Sequence, residues 1–66
     1  MTRHNDGDRV RANQAIRMGN ADAQWEIPKG TTGTWTTMAH GSGVRLDVPL
    51  LSGEFVYTEE FKWDRV

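Results

Sequence analysis

The chain has no cysteine. It therefore has no disulfide and no Cys/His cluster for zinc, the two usual staples of small scaffolds, and a secreted miniprotein held by disulfides is excluded. No apolar run approaches the roughly 20 residues of a membrane span. The start, Met1-Thr-Arg-His-Asn-Asp-Gly-Asp8, offers no apolar stretch to serve as a signal peptide. These absences lead to the expectation of a soluble, cytoplasmic protein that does not engage a membrane. Neither sign of charge dominates: 8 Lys and Arg face 9 Asp and Glu, for a net charge of −1. That balance argues against a strong sequence-independent grip on phosphates. Internal repeats, linkers and low-complexity segments are missing too. What remains is one domain of 66 residues, a size that buries only about 60% of the surface its unfolded chain exposes.

The charge is unevenly placed. Arg3, Arg9, Arg11 and Arg17 lie near the start with only two aspartates, and Glu54, Glu59, Glu60 and Asp64 lie near the end with Lys62 and Arg65. Adjacent strands would set these ends side by side and let them neutralise each other.

Residues 1–6 are polar and unpatterned and read as a disordered, frayed terminus, with the folded domain running from 7 to 66. In Asp8-Arg-Val-Arg-Ala12, Val10 and Ala12 alternate with Arg9 and Arg11, the period of a strand with one buried face. Residues 13–28 read as a long excursion with a short turn, ended at Gly19-Asn20 and folded back over the core by Ile16, Trp25 and Ile27. Pro28 with Lys29-Gly30 makes a reversal, Gly30 being free to take a positive φ. The next strand runs from Thr31 or Thr32 to Met38. Gly33 within it marks a bend or a close backbone approach, and Trp35, two residues on, faces the core.

Ala39-His-Gly-Ser-Gly43 reads as a hairpin loop of four or five residues. Val44, Leu46 and Val48 then alternate with Arg45 and Asp47 until Pro49 closes the strand, and residues 50–53 turn the chain. Glu54 to Tyr57 restarts it, with Phe55 and Tyr57 on one face and Val56 on the other. Thr58-Glu-Glu-Phe61 has the form of a single helical turn capped by Thr58, with Phe61 reaching the core. Lys62 to Val66 finishes as a short strand. The sum is an all-β fold: a five-stranded, partly open barrel with a long first loop and one helical turn before the last strand.

Three features carry a family resemblance: Gly7-Asp-Arg-Val-Arg11, the Pro-x-Gly-x-x-Gly-x-aromatic unit from Pro28 to Trp35, and the ending Phe61-x-x-x-Arg65-Val66. Together they resemble small SH3-like barrels, among them uncharacterised bacterial and phage domains, the ferredoxin-docking peripheral subunit of photosystem I and the type II dihydrofolate reductases. The resemblance covers nearly the whole chain, yet its motifs are architectural. The reductases would imply an oligomeric enzyme whose ligands meet a Val-Gln-Ile-Tyr strand. Here Glu54-Phe-Val-Tyr57 occupies that place; only Tyr57 matches, and the amide-bearing glutamine is replaced by Phe55. The photosystem subunit docks through a basic surface, and this chain is slightly acidic. The polyproline-binding Ala-Leu-Tyr-Asp-Tyr run of signalling SH3 domains is absent.

Catalytic patterns fare no better. His4 and His40 have no cysteine and no partner four residues away, so no metal site is expected. His40 beside Ser42 belongs to turn chemistry rather than to a nucleophile pair. Gly30-Thr-Thr-Gly33 lacks the Lys-Ser/Thr ending and the helix of a phosphate loop. The expectation is a non-enzyme without a cofactor.

The three tryptophans carry most of the functional signal, because a core this small cannot fully enclose all of them. Trp35 reads as core. Trp25, Trp63 and Tyr57 read as surface aromatics that contact a protein partner, the alternative being that Trp25 and Trp63 cap the two open ends of the barrel. A second function reading is nucleic-acid binding through Arg9, Arg11, Arg17 and Arg45, with Trp25 or Tyr57 as a stacking platform. The oligomeric state is not legible in the sequence.

Overall fold

Alternating apolar residues account for most of the strands. The computed structural model describes residues 4–19, 22, 24–50 and 53–66, without the side chains of residues 49, 50, 53 and 54. In chain order the strands are β1 (Arg9–Ala12), β2 (Ile16–Gly19), β3 (Gln24–Ile27), β4 (Thr32–Met38), β5 (Gly41–Leu50), β6 (Gly53–Tyr57) and β7 (Trp63–Arg65), with a 3₁₀ turn at Glu60–Lys62 before the last. The fold is all-β. One five-stranded antiparallel sheet has the order β6-β5-β4-β1-β7, and β2 with β3 forms a separate two-stranded hairpin. Neither sheet closes on itself.

The core comprises Val10, Ala12, Ile16, Ile27, Trp35, Val44, Leu46, Val56 and Trp63, with Met18 and Trp25 packed against it. The excursion between the first strand and Pro28 is thus a regular hairpin rather than a loop with a short turn. Ile16 and Met18 alternate with Arg17, and Ile16 sits opposite Ile27 in register, so the hairpin lays one apolar edge over the main sheet.

Gly33 is buried, and a Cβ there would lie 2.6 Å from the Arg45 carbonyl oxygen. This is the close approach expected of a glycine inside a strand. The central hairpin is tighter than its composition implies: Met38 pairs with Gly41, leaving only Ala39 and His40 in the turn.

Several readings change. Pro49 does not close β5, which runs on to Leu50 and pairs there with Gly53 of β6. Val48 is 68% exposed although it continues the alternation of Val44 and Leu46. The pairing with β4 ends at Gly33↔Leu46, and the β5–β6 register shifts between Arg45 and Leu50, so among the described residues Val48 has no registered neighbour on either side. Phe61 is 69% exposed, because the 3₁₀ turn is only three residues long and Trp63 takes the core position two residues later. Thr58 does not cap this turn. Glu59 occupies the N-cap without a side-chain bond, and the Thr58 hydroxyl instead accepts a hydrogen bond from the Trp63 indole N–H at 3.1 Å.

Within the segment read as frayed, His4, Asn5 and Asp6 are described, and His4 is 5% exposed. Its Nε2 lies 2.7 Å from the Trp63 carbonyl and 3.2 Å from that of Glu60, so it carries the proton and donates. Its ring meets Trp35 edge-on at 5.2 Å. Asp6 accepts from the Thr37 N–H at 2.9 Å, and Gly7 N–H donates to the Trp35 carbonyl at 2.8 Å. The start of the domain is clipped onto β4 and the 3₁₀ turn.

Candidate functional site

Directly opposed residues of an antiparallel pair share a face, so the register of the main sheet dictates which side chains meet outside. One row runs Arg9, Thr34, Arg45, Phe55 across β1, β4, β5 and β6. Beside it lies Thr36, Gly43, Tyr57, and on the other flank Arg11 faces Thr32 and Asp64. Three of the four arginines expected to form a cationic face are brought together here, with Tyr57. Arg17 is not among them: it sits on the separate hairpin opposite Glu26, its Nε 4.0 Å from the carboxylate.

Tyr57 is 54% exposed. Phe55, half-buried, stands edge-on to it, with ring centroids 5.0 Å apart and planes at 88°. The sequence places Phe55 and Tyr57 on one face by alternation but gives no sign that Arg45 is Phe55's cross-strand neighbour, which depends on the β5–β6 register.

Arg9 grips Asp47 with both guanidinium nitrogens, at 2.8 Å and 2.5 Å, and donates to the Thr34 hydroxyl at 3.0 Å. The Thr32 hydroxyl donates to the same carboxylate at 2.7 Å. These hydrogen bonds, Arg9's first and Thr32's second, hold the Asp47 carboxyl at about 2. Its folded value lies below the ordinary ~3.9. Whatever stability the pair adds is therefore present above that ordinary value and is lost as pH falls through about 2. Both groups are substantially exposed, so the contribution is small and weakened by salt. A carbon-detected NMR titration is expected to give Asp47 a midpoint near 2, moving up towards ~3.9 in Arg9→Ala. An unmoved midpoint in the variant would overturn the assignment.

The three aromatics expected to contact a partner lie apart. Trp63 is 2% exposed and belongs to the core, so it is withdrawn as a partner contact: β7 pairs with β1, and the Ala12↔Trp63 register turns the indole inward. Trp25 lies half-buried on β3, opposite Met18 on β2, beside a cavity of about 430 Å³ lined by Arg17, Met18, Gly19, Gln24, Trp25 and Glu26. Tyr57 belongs to the outward face of the main sheet.

The two charged chain ends lie side by side where Arg11 opposes Asp64 across β1 and β7, but the ion pairs run elsewhere: Arg9 holds Asp47, Arg17 faces Glu26, and Arg65 Nε lies 3.4 Å from Asp8, with the signs of the two ends reversed. Among the described residues no group of three or more His, Cys, Asp or Glu could hold a metal ion. His40 is exposed in its two-residue turn. No described helix is long and apolar enough to cross a membrane. Comparisons with protein-family models, curated proteins and solved structures find no match.

Proposed function

We propose that the chain is a non-enzymatic interaction module of the SH3-like type, taking a protein partner on the face of its β2–β3 hairpin. The barrel reading draws support from three features: the order β6-β5-β4-β1-β7, a long hairpin between β1 and β4, and a 3₁₀ turn before β7. The partner reading rests on one observation. Met18 and Trp25 form a cross-strand pair, both half-buried, at the edge of a cavity of about 430 Å³ and flanked by Arg17 and Glu26. An aromatic rooted in the core yet still accessible is an anchor that costs little side-chain entropy to engage, and such residues dominate interface energetics. The flanking charges give the rim polarity.

Affinity capture from the source cells should recover a protein with the wild-type chain and lose it with Trp25→Ala, while circular dichroism shows the variant folded. The expected weakening is tenfold or more, that of an aromatic anchor worth at least about 1.4 kcal/mol. Equal capture by the folded Trp25→Ala variant would sink the reading.

A further inference from the structure

The outward face of the main sheet is a second surface that the hairpin reading leaves unused. We propose that this face, centred on Tyr57, Phe55 and Arg45, binds single-stranded nucleic acid.

The argument starts from how the rings are held. Gly43 stands opposite Tyr57 and carries no side chain, which lets β6 pass close over β5. Gly41 leaves bare backbone beside the Tyr57 ring, whose carbons would lie 3.8 and 3.9 Å from a Cβ at that position. Phe55 abuts Tyr57 at 88°, so an edge-to-face contact steadies the ring. With the residue 54% exposed, Tyr57 presents a fixed aromatic surface that a base can stack on whatever its identity.

Cations extend from it in order. Arg45 is the direct neighbour of Phe55, Thr34 follows, and then Arg9, three strand spacings or about 14 Å from β6. At the far corner Arg11 and Lys29 line a second cavity of about 330 Å³. Neither side chain has a hydrogen-bond or ion-pair partner among the described residues. Lys29 is brought there by the turn after Pro28, which is tied to β1 by the bond from Gly30 N–H to the Ala12 carbonyl at 2.9 Å.

Among the described residues, the carboxylates on this path are engaged within the sheet: Asp47 is held by Arg9 and Thr32, and Asp64 accepts from the Asn13 amide at 3.0 Å. Among the described residues of this face Arg9, Arg11, Arg45 and Lys29 outnumber Asp47 and Asp64, in a chain whose net charge is −1. A peptide partner would want an aliphatic stripe to bury; between the rings and the cations this face offers threonine hydroxyls. Stacking at one end with a line of cations leading away suits a strand of bases joined by phosphates.

The test is fluorescence anisotropy of a labelled oligothymidylate of about 12 nucleotides, within the site sizes that small barrels cover, from about 50 to 200 mM salt. Binding should weaken as salt rises. Tyr57→Ala should lose at least tenfold in affinity and Tyr57→Phe should stay within about twofold, since the phenyl face suffices for stacking. Arg45→Ala should flatten the slope of log affinity against log salt by about 0.7, one phosphate's share for a single strand. Trp25→Ala should bind the oligonucleotide as wild type does, which separates this face from the hairpin. No binding at about 50 mM salt overturns the proposal, as does a Tyr57→Ala variant of unchanged affinity. A self-associated wild-type chain that Tyr57→Ala renders monomeric, with no oligonucleotide bound, would identify the face as a contact between copies and equally overturn it.

Discussion

Gly43→Ala is expected to unfold the chain. The position is buried in β5, and the added Cβ would press onto the Val56 carbonyl oxygen, lying also 2.8 Å from the Val56 carbonyl carbon and 2.9 Å from the Tyr57 Cα. All three obstacles are backbone. A side chain in the way could swing to another rotamer, whereas here β6 as a whole would have to lift off β5. Overpacking a core with a methyl group commonly costs about 1–3 kcal/mol, more where nothing can give. A chain of this length has roughly 3–10 kcal/mol in total, so the variant should show a collapsed urea midpoint or no folded baseline at all. Gly33→Ala should be the milder of the two, because one of its obstacles is the Val44 side chain, though the Arg45 carbonyl oxygen at 2.6 Å remains. Gly41→Ala meets only the edge of the Tyr57 ring at 3.8 Å; its cost comes from φ +141, a conformation glycine tolerates and alanine does not. A Gly43→Ala protein that melts with wild type would mean that β5 and β6 do not approach as described.

Those glycines also mark the line between what the sequence discloses and what it withholds. Period-2 alternation finds β1, β6 and the first half of β5, since a strand with one wet face writes its geometry directly into the order of residues, and a run of β-branched threonines finds β4. Gly33 is legible as a close approach because a glycine among β-branched threonines has few other reasons to be there. The β2–β3 hairpin is harder. Four-residue strands such as Ile16–Gly19 and Gln24–Ile27 hold too few alternations to separate a hairpin from a loop that happens to touch the core. Val48 fails differently: the alternation is real, but the partner strand stops at Leu46, and where a partner ends is a property of another segment.

His4 and Phe61 show the same limit at the two ends of the chain. A histidine in a polar run carries no local sign that its ring will be enclosed, and its burial depends on Trp35 and on carbonyls 56 and 59 residues away. Phe61 looks like the aromatic that plugs the core. Trp63 fills that place, two residues on, where β7 begins. For the candidate surfaces, the residue types were readable and their grouping was not. Only the β5–β6 register sets Arg45 beside Phe55, and only the separate sheet removes Arg17 from the other arginines. A list of arginines and aromatics can nominate binding residues, but it takes strand pairing to sort them into surfaces.

Trp63→Ala is the other substitution expected to be severe, and it distinguishes the two roles open to this residue. A surface aromatic would melt unchanged when truncated and lose only a partner. The enclosed Trp63, 2% exposed, should instead lose about 3–5 kcal/mol, the range for truncating a large buried aromatic, and so most of the stability of a domain this size. The damage is not confined to the cavity. The indole N–H bond to Thr58 anchors the chain entering the 3₁₀ turn, and the Trp63 carbonyl receives His4 Nε2 at 2.7 Å, so a shift of β7 would also release the clip at the start of the domain. Trp63→Phe separates the contributions. It keeps most of the packing and deletes the bond to Thr58, for an expected loss of about 1–2 kcal/mol from the hydroxyl left unpaired and the smaller ring. Urea melts followed by circular dichroism, which does not depend on the deleted chromophore, should rank wild type above Trp63→Phe and both well above Trp63→Ala. If Trp63→Ala melted within about 0.5 kcal/mol of wild type, as a substitution away from the core does, the indole could not be part of the core, and the partner contact expected of it would return.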